Sequence, residues 1–139
     1  MFVLSDRVVG QAMSGIQIKH QVVVFDAADL HAESTFWAGV LGGTVDVDDD
    51  WHMVMVDGVP RVGVQLAPEH VPPRWPDGSP PQQIHLDLWV EDLPTAHAHV
   101  LELGAEVLQR AEDTGEPDRF QVYTDPAGHP FCLCWTVHD

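Results

Sequence analysis

The chain has 139 residues, and six lysines and arginines stand against 22 aspartates and glutamates, so its formal net charge at pH 7 is −16. This length predicts one domain or two fused half-modules, and the negative charge argues against a nucleic-acid partner because it would repel a phosphate backbone. No apolar run approaches the roughly 20 residues of a membrane helix, and the N-terminus lacks the apolar core of a signal peptide. We therefore expect a soluble, cytoplasmic protein with no membrane partner.

The first half of the chain predicts a strand, a helix and three further strands. Residues 17–26 are rich in β-branched side chains, which favour a strand. Asp29 is a suitable N-cap for the helix that follows, and Gly42 is a suitable end. Asp57-Gly58 is typical of a tight hairpin turn. The three strands after the helix are predicted at residues 44–47, 51–56 and 61–66.

The second half repeats this order. Residues 83–90 predict a strand, and Asp92 opens a helix that carries Pro94 in its first turn and ends at Gly104. The strands that follow this helix are predicted at residues 105–108, 119–124 and 130–136. Recurrence of one supersecondary unit predicts two βαβββ modules in tandem.

The proline distribution sets the predicted boundaries. Six of the 11 prolines lie between the two modules, where they exclude a central strand or helix. We therefore expect this linker to wrap over a surface. The predicted segments are an N-terminal extension at residues 1–16, the first module at 17–67, the linker at 68–82 and the second module at 83–137.

Two motifs carry a resemblance to a known family. The first helix contains F-W-x-x-V-L-G-G, and the turn before the last strand contains D-P-x-G-H-P-F. With the paired modules, these motifs resemble the vicinal oxygen chelate (VOC) superfamily, and within it the glyoxalase-like group of the glyoxalase/bleomycin resistance protein/dioxygenase family. The resemblance implies an α+β fold, in which two tandem βαβββ modules curl a mixed sheet into a cup with the helices outside. It also implies a homodimer, formed side by side or by exchange of modules.

Metal-dependent members of the superfamily hold an ion inside the cup with four ligands. By this resemblance, the four ligand positions correspond to Val22, Gln65, His85 and Cys132. Val22 has no ligand atom, although His20 lies two residues earlier on the predicted strand, and Gln65 is a neutral amide where the family has an acidic ligand. We therefore expect no intact family metal site and no cofactor. A divalent metal at His85 and Cys132 is the less favoured alternative.

His85 and Asp87 form a second candidate pattern, because residues two apart on a strand share a face. A His-x-Asp pair is half of a facial iron triad, which also needs a second histidine from His20 or His129. The chain has nine histidines, so a chance occurrence is the favoured explanation.

The tryptophans carry a stronger signal for binding. Trp89 shares a predicted strand face with His85 and Asp87, and Trp75 lies in the linker, where it can fold over the mouth of the cup. Tryptophan beside a buried carboxylate suits a flat aromatic or cationic ligand. The alternative, that Trp89 only fills the cup or a dimer contact, is equally supported. The tryptophans predicted for the core are Trp37 and Trp135.

Two functions from different classes follow. The first is a protein that binds or sequesters a small aromatic or cationic compound in the cup, without catalysis. The second is a lyase, isomerase or dioxygenase that uses a divalent metal at His85, or metal-free acid/base chemistry by His85 and Asp87. The predicted ligand-binding residues are His20, Val22, Gln65, Trp75, His85, Asp87, Trp89 and Cys132.

Overall fold

The computed structural model describes residues 10–138. Of the N-terminal extension predicted at residues 1–16, residues 1–9 lie outside the described residues. In chain order the elements are β1 Val23–Ala27, α1 Leu30–Leu41, β2 Thr44–Val47, β3 Trp51–Val56, β4 Val59–Leu66, β5 Leu86–Trp89, α2 Leu93–Leu103, β6 Glu106–Gln109, β7 Asp118–Thr124 and β8 Pro130–Thr136. Neither helix has the length and the apolar run that crossing a membrane requires, among the described residues.

The two halves form two four-stranded mixed sheets with the same topology. The first has the order β1-β4-β3-β2 and the second the order β5-β8-β7-β6. In each sheet the first and last strands of the module pair in parallel, and the other pairs are antiparallel. This repetition confirms the predicted α+β fold of two βαβββ modules.

Local sequence signals explain where both helices begin and end. The Asp29 carboxylate accepts a hydrogen bond from Ala32 N at 3.0 Å, and Asp92 caps α2 through Thr95 N at 3.3 Å. Each cap satisfies a backbone donor that the first turn leaves unpaired. Gly42 ends α1 in the left-handed conformation at φ 73°, which glycine adopts without steric cost.

The first and fifth strands are shorter than predicted. β1 begins at Val23 rather than residue 17, and β5 spans Leu86–Trp89 rather than residues 83–90. The register supplies the reason. Continued upstream, the register of β1 reaches Pro60 opposite Gln21, two positions before Val23, and the register of β5 reaches Pro130 opposite His85; neither proline has an N–H to extend the ladder. The prediction that His20 lies on the β1 strand is therefore wrong.

One apolar core joins the modules through α1. Trp37 is fully buried; its ring stacks on Phe25 of β1 at 5.2 Å between centroids and meets the edge of Phe131 of β8 at 5.3 Å. Leu86 and Leu88 pack against the same core. The helix side of both sheets is thus interior, which leaves the opposite side of each sheet free to form a site.

A buried carboxyl pair also joins the modules. Glu33 of α1 has no exposed surface, and Asp125 lies in the turn before β8. Trp37 Nε1 donates to Asp125 Oδ2 at 3.0 Å and to Glu33 Oε2 at 3.3 Å, while Ala127 N donates to Glu33 Oε1 at 3.0 Å. Burial raises the pKa of Glu33 to about 10, and the hydrogen bond and charge of Asp125 add to this. Glu33 is therefore a neutral acid whose O–H donates a hydrogen bond to Asp125.

Candidate functional site

A cavity of about 550 Å³ opens on the second sheet, on the side away from α2. Strand alternation supplies its floor: Leu86 and Leu88 point into the core, so Asp87 and Trp89 point into the cavity. The predicted residues that line it are Trp75, His85, Asp87, Trp89 and Cys132.

His85, Asp87 and Cys132 form a compact polar group in the floor. Asp87 of β5 lies directly opposite Cys132 of β8 in the parallel ladder. His85 Nε2 lies 3.2 Å from Asp87 Oδ1, and one donor atom from each of the three residues lies within 4.8 Å of the other two. The other ring nitrogen, Nδ1, is 3.3 Å from Gln82 Oε1. Gln82 Oε1 and Asp87 Oδ1 can both only accept, so a neutral imidazole donates to one of them, through Nδ1 or through Nε2.

Both cysteines are free, buried and part of the cavity wall. Burial raises the pKa of the Cys132 thiol to about 12, and the nearby Asp87 and Cys134 add to the effect. Burial likewise raises the pKa of Cys134 to about 11, with further contributions from Asp87 and Asp118. Both groups are therefore thiols near neutral pH and weak nucleophiles.

Trp75 covers the thiols from the linker side. Its ring packs against Cys132 and Cys134 and meets the His85 ring edge-on at 5.1 Å between centroids. Its Nε1 donates to Gln109 Oε1 at 3.2 Å, which fixes the ring over the floor. The linker thus supplies one wall of the cavity.

Sequence reasoning missed the opposite wall, which comes from β7 and the loop before it. Phe120 is 49% exposed in this wall, the same fraction as Trp89 across the cavity. Glu116 and Asp118 add carboxylates to the same lining as Asp87, and the one cation there, Arg119, is paired with Asp113 at 3.2 Å. The signal for Phe120 was available in the alternation of β7, where Gln121 points towards the core and its neighbours point away. In the sheet, β8 lies between β7 and β5. Nothing in the sequence indicated that side chains from these two strands line the same cavity.

Three predicted site residues do not line the cavity. His20 and Val22 lie before β1, and Gln65 lies on β4, where it pairs with Asp26 and Trp51 of the first sheet. They do not join His85 within one chain.

His129 also lies elsewhere, because its Nε2 donates to Asp26 O at 2.7 Å and its ring packs on Phe25. The described residues therefore bring no second histidine to the His-x-Asp pair. Trp37 is buried in the core, as predicted, and Trp135 is half-buried.

The donor set can be tested against a metal. The family pattern of four ligands from both modules does not fit within one chain, because Val22 has no donor atom and Gln65 does not line the cavity that contains His85 and Cys132. The imidazole, carboxylate and thiol in the floor do fit an ion that accepts nitrogen, oxygen and sulfur ligands. A divalent metal is thus compatible with the second module alone.

Comparison with known proteins agrees with the topology and the motifs. Residues 22–134 match the glyoxalase-like domain family. FosX, a genomically encoded fosfomycin resistance protein from Listeria monocytogenes, is similar over 91% of this chain and 96% of its own, at 12% identity and a TM-score of 0.63.

A glyoxalase/bleomycin resistance protein/dioxygenase family enzyme from Burkholderia phytofirmans PsJN covers 84% of this chain and 97% of its own, at 15% identity and a TM-score of 0.62. The hypothetical protein SA1046 from S. aureus covers 86% of this chain and 94% of its own, at 15% identity and a TM-score of 0.58. No curated protein matches the sequence significantly. At these identities the solved structures show a shared fold, and the family match covers most of the chain. The protein belongs to the glyoxalase-like domain family.

Proposed function

We propose that the protein binds or sequesters a small aromatic or cationic compound in the cavity of the second module. The observation that carries this proposal is the pairing of two half-exposed aromatic rings, Trp89 and Phe120, with the carboxylates of Asp87 and Asp118 in one cavity. Exposed aromatic side chains that converge on a concave site are typical of ligand recognition.

The physical chemistry favours a planar cation. A cation over a tryptophan face gains about 0.5–2 kcal/mol, more as the site loses water. The carboxylates contribute attraction at short range, and the formal net charge of −16 raises the local concentration of cations around the whole molecule. A neutral aromatic ligand would gain the stacking contribution alone.

The proposal includes a homodimer. β1 and β5 each lie at one edge of their sheet, and Val24 on the outer face of β1 is 43% exposed. The cavity is open on one side and is lined by the second module and by Trp75 of the linker. In the proposed dimer, the outer face of the first sheet, which carries Gln65, closes the cavity of the other subunit. Side-by-side and module-exchanged dimers both satisfy this arrangement.

A second candidate function is catalysis by the same cavity. The short contact between His85 Nε2 and Asp87 Oδ1 favours it, because such a pair can move a proton to or from a bound substrate. Similar structures include a fosfomycin resistance protein and a protein described as an enzyme. A divalent metal held by His85 would supply Lewis-acid polarisation of a substrate oxygen.

Calorimetric titration with N-methylquinolinium, a planar permanent cation, tests the binding proposal. Quinoline at pH 8 has nearly the same shape without the charge and should bind more weakly. Asp87→Asn should weaken N-methylquinolinium binding, whereas the matched control Glu102→Gln removes the same charge from the exposed side of α2 and should not.

Trp89→Leu tests the aromatic contribution. Loss of a cation–π contact of about 1 kcal/mol weakens binding about fivefold. Leu101→Ala on the exposed face of α2 is the control. Equal binding of the charged and neutral probes, or no effect of either cavity variant, would contradict the proposal. Turnover of a substrate that requires His85 would favour catalysis instead.

A further inference from the structure

The sheet under the cavity arranges its charges and rings in a pattern that narrows the class of ligand. We propose that the cavity selects rod-shaped aromatic compounds with a cationic group at each end, one held by Asp87 and the other by Asp118. The inference rests on the proposed function and specifies its ligand. A compound with a single cationic group would use only one of the two ends.

Two aromatic rings flank the middle of the cavity floor. Trp89 of β5 and Phe120 of β7 both pair with Cys134 of β8, so the three residues form one row across three strands. All three line the cavity. Because Cys134 is small and nearly buried, the two larger rings stand on either side of it and leave a slot between them.

The two carboxylates lie at opposite ends of this slot. Asp87 pairs with Cys132, two residues before Cys134 along β8, whereas Asp118 is opposite Thr136, two residues after it. The carboxylates also come from opposite sides of β8, so the line that joins them runs diagonally over Cys134. Burial, Asp87 and Asp118 all raise the pKa of the Cys134 thiol, which agrees with a position between the two charges.

The register also gives the length of the ligand. Two strand spacings of about 4.8 Å and four residues of about 3.3 Å separate Asp87 from Asp118, which places their Cα atoms roughly 16 Å apart. A hydrogen bond takes about 3 Å at each end. A ligand whose cationic nitrogens lie roughly 10 Å apart therefore spans both carboxylates, and a two-ring aromatic rod has about this length.

Both ends of the slot keep an acceptor for a cation. Thr136 Oγ1 donates to Asp118 Oδ1 at 2.8 Å, which orients that carboxylate without neutralising it. Arg119 lies next to Asp118 in the chain but pairs with Asp113 at 3.2 Å. A planar amidinium fits these ends well, because its N–H groups can donate to a carboxylate while its charge is attracted to it.

Calorimetric titration of the full chain at pH 8 with three probes tests both the charges and the length. The first probe is a biphenyl with an amidinium at each para end, the second lacks one amidinium, and the third carries two para amidinium groups on a single ring. We expect the long bis-amidine to bind at least about tenfold more tightly than either of the others, because only it makes a charge-assisted hydrogen bond at both ends.

Asp87→Asn and Asp118→Asn should each remove most of the preference for the long bis-amidine over the mono-amidine. The matched control Asp49→Asn takes the same charge from the exposed turn between β2 and β3 and should keep the preference. Equal affinity for the long and short bis-amidines would indicate general attraction by the net charge and would overturn the inference, as would a preference that survives Asp118→Asn. The outcome for the proposed function is read separately from N-methylquinolinium: its binding supports that function even where the long bis-amidine has no advantage, and its failure to bind contradicts it.

Discussion

Replacement of Glu33 by glutamine should stabilise the protein at neutral pH. The pKa of this carboxyl is about 10 in the folded chain against a reference value of 4.5, so the folded state keeps a proton that the unfolded state releases. Because the pKa is raised on folding, the contribution of Glu33 to stability is complete below pH 4.5 and is lost as the pH rises towards 10. The loss is about 1.4 kcal/mol per pH unit, or up to about 3 kcal/mol at pH 7.

Glutamine can keep two of the three contacts without this loss, and Trp37 Nε1, which no longer has an acceptor at residue 33, keeps its bond to Asp125. The glutamine amide N–H can donate to Asp125, and its oxygen can accept from Ala127 N, as the protonated Glu33 does. We therefore expect the free energy of unfolding of Glu33→Gln to exceed that of the wild type at pH 7 and to equal it near pH 4. The difference between the two proteins isolates Glu33, because every other titrating group is common to both.

Urea unfolding at pH 4.5, 6, 7.5 and 9 measures this difference. Glu102→Gln on the exposed side of α2 is the control for removing one negative charge from a chain with a net charge of −16. If Glu33→Gln is destabilised by the same amount at every pH, Glu33 is not a proton-holding group in the folded state and the reasoning is refuted.

Three further outcomes follow from the packing. In chelator-treated protein, a disulfide reagent should label Cys132 and Cys134 slowly at pH 8 and rapidly after unfolding, because burial raises both thiol pKa values; equal rates would contradict this. Trp37→Ala should cost roughly 3–5 kcal/mol in chemical unfolding, since it empties a fully buried site and removes the donor to Asp125. Gly42→Ala should lower the free energy of unfolding by about 1 kcal/mol, because φ is 73° there; an unchanged midpoint would count against it.

Short-range signals explain the elements that sequence predicted well. Asp29 and Asp92 cap their helices through their own side chains, and Asp57-Gly58 joins β3 to β4. These features depend on a few neighbouring residues, so a single sequence contains the information. The tandem repeat then fixed the fold class, because one βαβββ unit cannot bury its apolar face alone.

Predictions that depended on a partner strand were less accurate. β1 starts later than its β-branched run suggests, because the paired strand reaches Pro60 and cannot extend the ladder. The cavity shows the same dependence. Alternation along β5 placed Asp87 and Trp89 on one face, but Phe120 enters the site only because β7 lies one strand beyond β8.

The sequence by itself determined the helix ends, the hairpin, the two-module fold and the side of β5 that carries polar groups. Only the tertiary structure decided that Gln65 and His85 lie on different sheets of one chain, and that Glu33 is buried against Asp125. The physical reason is the range of the interactions. Caps and turns are set by contacts within four residues, whereas the burial of a carboxyl and the walls of a cavity depend on how two modules pack across the whole chain.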